Sequence, residues 1–178
     1  MSGANDYKQR TASSHDAVSD SPDSQRISTE PTLTEEFTRL TQRLRRKLAV
    51  DKCILVLKRP AEDRLAAVAS WNHGELSDGL AINLPHDNSL FEKVTEDGGL
   101  YTENFCGSFS GNFFERKLLI DAESRSFALQ PLRHDGHLVG LVGMSSEEPM
   151  AFTLLDEGEL DDILTQFAIS CDRERHSI

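Results

Sequence analysis

Residues 126–168 read SFALQPLRHDGHLVGLVGMSSEEPMAFTLLDEGELDDILTQFA, and the architecture turns on this stretch. Asp135-Gly136 is the kind of dipeptide a two-residue hairpin turn selects, because both central positions need positive φ. The apolar runs on either side, Ser126–Leu132 and His137–Ser145, therefore read as the paired strands of a hairpin. An acidic amphipathic helix should follow from Thr153 to about Cys171. Leu160, Leu164, Phe167 and Cys171 keep a 4-3-4 spacing with Ile163 beside them. Thr153 and Asp156 stand at capping spacing, Glu157 and Glu159 complement the helix N-terminus, and Gly158 weakens the first turn.

Upstream, a first helix is expected over Leu33–Leu48. Thr32 and Glu35 have capping-box spacing, and Leu33, Phe37, Leu40, Leu44 and Leu48 form one apolar stripe. Arg43, Arg45, Arg46 and Lys47 load its last turn, where the macrodipole favours cations; their plain reading is a solvated helix end. Cys53–Lys58 and Arg64–Trp71 read as paired strands around a turn at Pro60–Asp63. Between them and the hairpin lie a short extended piece at Ala81–Leu84, a short helix capped by Asn88, and a short strand within Leu100–Asn104. Residues 105–120, FCGSFSGNFFERKLLI, interleave Phe and Cys with Gly and Ser, then form a short helix expected to turn Phe114, Leu118 and Leu119 inward.

Tight turns between strands imply a mainly antiparallel sheet, and helices packed on it give an α+β arrangement. The ordered domain should span 33–172, with a short tail at 173–178. Residues 1–32 hold seven Ser and little aliphatic material, so they cannot bury enough apolar surface to offset their ordering entropy and are expected to be disordered.

The net charge of −11 argues against a nucleic-acid or anionic-membrane surface, which needs a basic stripe. No apolar run reaches membrane-spanning length, and the start lacks a signal-peptide core. Cys53, Cys106 and Cys171 are odd in number and far apart, which suits a reducing cytoplasm better than a disulfide framework. The motifs of serine hydrolases, phosphate-binding loops, zincins and paired-cysteine sites are all missing. His134 and His137 flank Asp135, but three or four convergent ligands are the rule for zinc, so these read as exposed turn residues. Cys53 and Cys171 read as core residues; Cys106 has no Lys, Arg or His beside it in sequence to activate it. No catalytic residue, metal ligand or cofactor is assigned on these grounds.

The order of elements in 126–168 closely resembles the end of a GAF domain: an apolar strand ending in Pro131-Leu132, a short turn, a strand interrupted by Gly140 and Gly143, a linker with Phe152-Thr153, and a long helix. The resemblance extends over roughly 33–172. It implies a central antiparallel sheet with the terminal helices on one face and small helices and loops over the other. It also implies a non-enzymatic sensor or regulatory domain in bacterial-type signal transduction, binding a small molecule or a protein partner and dimerising through its terminal helices. Closure of an aromatic lid would then bias those helices. By the same resemblance Trp71, Phe91, Tyr101, Phe105, Cys106, Phe109, Phe113 and Phe114 are candidate pocket residues, with Arg125, Gln130 or Arg116 as polar anchors. Bilin attachment in the family uses Cys followed by His, whereas Gly107 follows Cys106 here. The cyclic-nucleotide pattern is broken at Asn112-Phe113 and Asp121-Ala122. Two alternatives stay open: an interaction or dimerisation module whose pocket is filled by its own side chains, and a thiol-based reductase resembling the free methionine sulfoxide reductases, for which Cys106 is the candidate thiol.

Overall fold

In the computed structural model, which describes residues 30–178, helix α1 (Leu33–Lys47) opens with a complete capping box. The Glu35 N–H donates to Thr32 Oγ1 at 3.3 Å, and the Thr32 N–H donates to Glu35 Oε2 at 2.9 Å. The first N–H groups of a helix find no partner within it, and this motif satisfies two donors locally. The expectation of a disordered 1–32 segment falls almost entirely outside the described residues.

Strands β1 (Lys52–Arg59) and β2 (Arg64–Asn72) follow, then β3 (Glu75–Ser77) and β4 (Ile82–Asn83), helix α2 (Leu90–Asp97), strand β5 (Tyr101–Glu103) and helix α3 (Phe113–Leu119). The hairpin is β6 (Ser126–His134) and β7 (His137–Ser146), and helix α4 (Glu157–Glu174) closes the fold. Asp135 and Gly136 both have positive φ, at 48° and 78°, as the turn type requires. The strands form one antiparallel sheet in the order β3-β2-β1-β7-β6-β5, with β4 on the same side of β2 as β3. The expected α+β architecture is thus present.

The sheet separates two apolar clusters. On one face α1 and α4 cover Cys53, Leu55, Leu57, Ala128, Val142 and Met144, and Phe37 stacks on Phe167 with ring centroids 6.2 Å apart. On the other, α2, α3 and the 105–112 loop cover Ile54, Val56, Phe127, Leu129 and Leu141. Alternation along each strand assigns the faces, and a β-bulge opposite Leu55/Val56 resets it in β2. Leu65 and Ala67 thereby face the lid, while Ala69 and Trp71 face the terminal helices. The opposite charges foreseen on the two helix ends do meet, as an ion pair between Lys47 and Glu159.

Three local expectations are corrected. Ser89, not Asn88, caps α2: its hydroxyl accepts the Glu92 N–H at 3.0 Å, while Asn88 takes a left-handed φ of 53° one residue earlier. Asp156, not Thr153, caps α4 by accepting the Gly158 N–H at 2.9 Å. The Thr153 hydroxyl instead donates to the Met150 carbonyl within a run of turns that places Phe152 in the core. Finally, α3 turns Leu119 inward but leaves Phe114 53% exposed.

Candidate functional site

The lid face holds the residues the sequence reading grouped, though not all of them. Tyr101 and Phe109 lie against Phe127 with ring centroids 5.9 and 5.5 Å away, and Phe91 is fully buried in the same cluster. Phe127 was not singled out from sequence, yet it is the floor on which the lid aromatics rest. Its position on β6 opposite Glu103 of β5 brings the loop after β5 across it.

The centre of the lid is Glu115, another residue that sequence reasoning passed over. Its carboxylate is completely buried. Oε1 accepts the Phe91 N–H at 3.1 Å and the Ser89 hydroxyl, and Oε2 accepts the N–H groups of Leu90 at 2.9 Å and Asn112 at 3.2 Å. Leu90 and Phe91 begin α2, so an anion from α3 occupies the positive end of a neighbouring helix. Asn112 completes the arrangement, its Oδ1 accepting the Glu115 N–H at 3.0 Å as the N-cap of α3 and its amide donating to the Pro85 carbonyl at 3.2 Å. The signal was present as Asn112-x-x-Glu115, a capping-box spacing. Gly111 lies against the carboxylate: a Cβ there would stand 2.3 Å from Glu115 Oε2 and 2.5 Å from the Phe109 ring.

Phe105, Cys106 and Arg125 come together elsewhere, around a shallow pocket of about 190 Å³ shared with Gly107, Ser124 and Pro149. The Cys106 N–H donates to the Arg125 carbonyl at 2.8 Å. Burial pushes the Cys106 thiol up to about 11, with the Glu103 carboxylate adding to the rise and Arg116 opposing it. Such a thiol is mostly protonated at neutral pH and a poor nucleophile. Cys53 and Cys171 belong to the cluster beneath the terminal helices, across the sheet from Cys106.

Further candidate pocket residues are placed away from the lid interior. Trp71 sits on the opposite face beneath α1, with the Arg45 guanidinium 4.6 Å from its ring centroid. Gln130 is buried beside Glu157, Gly158 and Asp161 near the start of α4, its amide donating to the Pro131 carbonyl. Phe113 and Phe114 pack edge to face on each other and are mostly exposed, as is Phe105. Lys117 Nζ lies 5.5 Å from the Phe113 centroid. Of the polar anchors considered, Arg116 is exposed on α3. His134, read as an exposed turn residue, is half-buried and faces Asp172 Oδ2 through Nδ1 at 3.0 Å.

A larger groove, of about 420 Å³, runs between the end of α1 and the start of α4, lined by Leu44, Leu48, Met150, Leu154, Leu155 and Ile163 among others. Leu154 is 97% exposed beside it. No helix among the described residues is long and apolar enough to cross a membrane.

Comparison with known proteins agrees with this geometry. No curated protein matches the sequence. Among solved structures, the chain is similar to the GAF domain of a two-component sensor histidine kinase from Bacillus halodurans, at 17% identity and a TM-score of 0.63, over 80% of this chain and 95% of that one. It is similar to the GAF domain of a phosphoenolpyruvate-protein phosphotransferase from Coxiella burnetii, at 17% identity and a TM-score of 0.64, over 84% and 88%. It is also similar to the type II free methionine-R-sulfoxide reductase from Thermoplasma acidophilum, at 18% identity and a TM-score of 0.61, over 79% and 93%. At these identities the likenesses establish the fold. The sequence pattern of the GAF domain matches residues 32–171, most of the chain, and the protein therefore belongs to the GAF domain family.

Proposed function

We propose that this GAF domain is a non-catalytic regulatory module that acts by associating with protein, with the space under its lid occupied by its own side chains. The observation that carries this reading is the Glu115 carboxylate, which satisfies the start of α2 where an anionic ligand group would otherwise be held. Phe91, Phe109 and Phe127 fill the apolar volume next to it. The output surface is the α1–α4 side, where the groove beside Leu154 offers apolar area to a second copy of the chain. Native mass spectrometry of freshly purified protein, recorded with an absorption spectrum, tests both parts. A homodimer without retained small molecule is expected, and Leu154→Asp should shift it to monomer. A stoichiometric bound compound would overturn the filled-lid reading.

Small-molecule sensing is the second reading. Gly107 in the lid loop has open space around it, and Leu119 of the lid helix packs directly over Gly143 of β7, the strand that leads towards α4. A ligand that displaced the lid would act first on that strand and bias the helices by population shift. The reductase reading has less support: Cys106 is the one cysteine on the lid side, and burial disfavours its thiolate. Loss of function in Cys106→Ala together with rapid alkylation would restore it.

A further inference from the structure

We propose that Asp51, His73 and Glu147 form a binding site for a divalent transition-metal ion of the zinc class, at the end of the sheet away from the hairpin turn. The site follows from strand order. β2, β1 and β7 are adjacent and antiparallel, and Lys52 at the start of β1 is level with Asn72 of β2 and Ser145 of β7. One step beyond that row lie Asp51 and His73, and two steps beyond it lies Glu147. Three residues far apart in sequence are thus delivered to one place by the register.

Their ligating atoms all lie within 4.8 Å of one another. His73 Nε2 and Glu147 Oε1 are 3.3 Å apart. Two ligands at ~2.1 Å from a tetrahedral ion stand about 3.4 Å from each other, so this pair is already at coordination spacing. The two edges to Asp51 are no longer than 4.8 Å, so bringing them to the same spacing requires at most about 1.4 Å, and the partners can supply it because the His73 and Glu147 side chains are about half exposed. The backbones are fixed more firmly. The His73 N–H donates to the Asp51 carbonyl at 2.9 Å, the Asp51 N–H to the Ser145 carbonyl at 3.0 Å, and the Glu147 N–H to Asp51 Oδ2 at 2.8 Å. The last bond orients the carboxylate in the way outer-sphere partners orient metal ligands.

The donor set selects the ion. Imidazole suits zinc, nickel, copper and iron better than calcium or magnesium, and two carboxylates without a thiolate exclude a soft-metal site. Water would complete the coordination. A bound ion would pin the chain after Glu147, which leads into α4, to the sheet end. The plainer account is a His73–Glu147 ion pair tying the β2–β3 turn to that linker; it predicts no saturable metal binding.

Titration of the full chain after chelator treatment separates the two, using Zn2+ by calorimetry and Co2+ by visible absorption. One equivalent should bind in the micromolar range without a thiolate-to-cobalt charge-transfer band, and excess Mg2+ should not displace it. His73→Asn, which suits the left-handed φ of 46° at this position, and Glu147→Gln should each weaken binding about tenfold or more. His137→Asn on the hairpin turn should leave it unchanged. Wild-type affinity in both site variants, a thiolate band, or no saturation below ~100 μM would overturn the assignment. Circular dichroism establishes that each variant is folded, so weakened binding cannot be mistaken for unfolding.

Discussion

Removing the Glu115 carboxylate should loosen the lid before it loosens the sheet. In Glu115→Ala, three backbone N–H groups, those of Leu90, Phe91 and Asn112, and the Ser89 hydroxyl lose an ionised acceptor in a site closed to water. Each charge-assisted bond contributes about 1.5–3 kcal/mol, but bonds to one carboxylate are not additive. Ser89 can turn its hydroxyl to another partner, and the frayed start of α2 can admit water. The expected loss is therefore about 4 kcal/mol, well below the simple sum, and it is a large share of the roughly 5–15 kcal/mol that holds a domain folded. For a domain of this size that corresponds to a drop of roughly 12 °C in Tm. Glu115→Gln keeps the shape and one acceptor oxygen, and should lose about 2 kcal/mol because its amide group faces N–H donors. Urea denaturation gives the magnitudes, and hydrogen exchange gives the location. Protection should fall at residues 89–119 while the β6–β7 hairpin stays protected. Both variants within ~0.5 kcal/mol of the wild type, or a uniform loss of protection, would refute the view that Glu115 is the lid's anchor.

Gly111→Ala should destabilise the same region by about 2 kcal/mol, since the new methyl group would meet Glu115 Oε2, the Phe109 ring and Leu90 Cβ at 2.3, 2.5 and 2.9 Å; a thermal melt unchanged from the wild type would count against the placement of Phe109 over the carboxylate. Cys106, with its thiol pushed up to about 11 by burial, should react with iodoacetamide at pH 8 roughly a hundredfold more slowly than an ordinary cysteine, and its rate should climb steadily up to about pH 11. A rate at pH 8 equal to that of free cysteine would show an activated thiol instead. The hydrogen bond from His134, followed by that from Arg175, holds the Asp172 carboxyl below its usual range. Because the folded value is the lower one, its stabilisation is complete above the unfolded carboxylate pKa of ~3.9 and is lost as pH falls through the depressed folded value. With solvent screening it amounts to no more than about 1 kcal/mol, and Asp172→Asn should flatten that part of the acid limb in a pH series of urea midpoints.

Local chemistry made much of the framework legible from sequence. Asp135-Gly136 and the alternation around it specify the hairpin, and Thr32 with Glu35 marks where α1 begins. The cap of α4 was harder, because Thr153 and Asp156 both offer an N-cap oxygen. The choice is made by Phe152, which is buried and holds the preceding residues in turns. Within the lid, charge misled. A glutamate between Phe114 and Arg116 reads as solvent-facing, and the phenylalanines read as core, yet Glu115 and Leu119 point inward four residues apart while Phe113, Phe114 and Lys117 point out. Which stripe of a seven-residue helix faces inward is set by what awaits it, here the unsatisfied N–H groups of another helix.

The two pocket candidates found on the opposite face, Gln130 and Trp71, have a different explanation, one that strand parity contains. Residues an odd number apart on a regular strand face opposite sides. Phe127 and Gln130 are three apart on β6, so if Phe127 is the floor of the lid, Gln130 must lie under α4, where it is found. Trp71 sits directly across from Cys53 in the β1–β2 register, and directly opposed residues share a face. Cys53 belongs with Leu55 and Leu57 on the side of the terminal helices, and Trp71 must join them. The bulge at Val68 hides this from a simple count along β2, because it moves Trp71 to the face opposite the one Leu65 occupies. A pocket drawn through both Trp71 and Phe91 would therefore have to pass through the sheet. The coupling that the sensing reading proposes between the lid and the terminal helices would instead have to run along a strand shared by both faces. β7 has the contacts for it, with Leu119 above Gly143 and Val142 and Met144 beneath the helices.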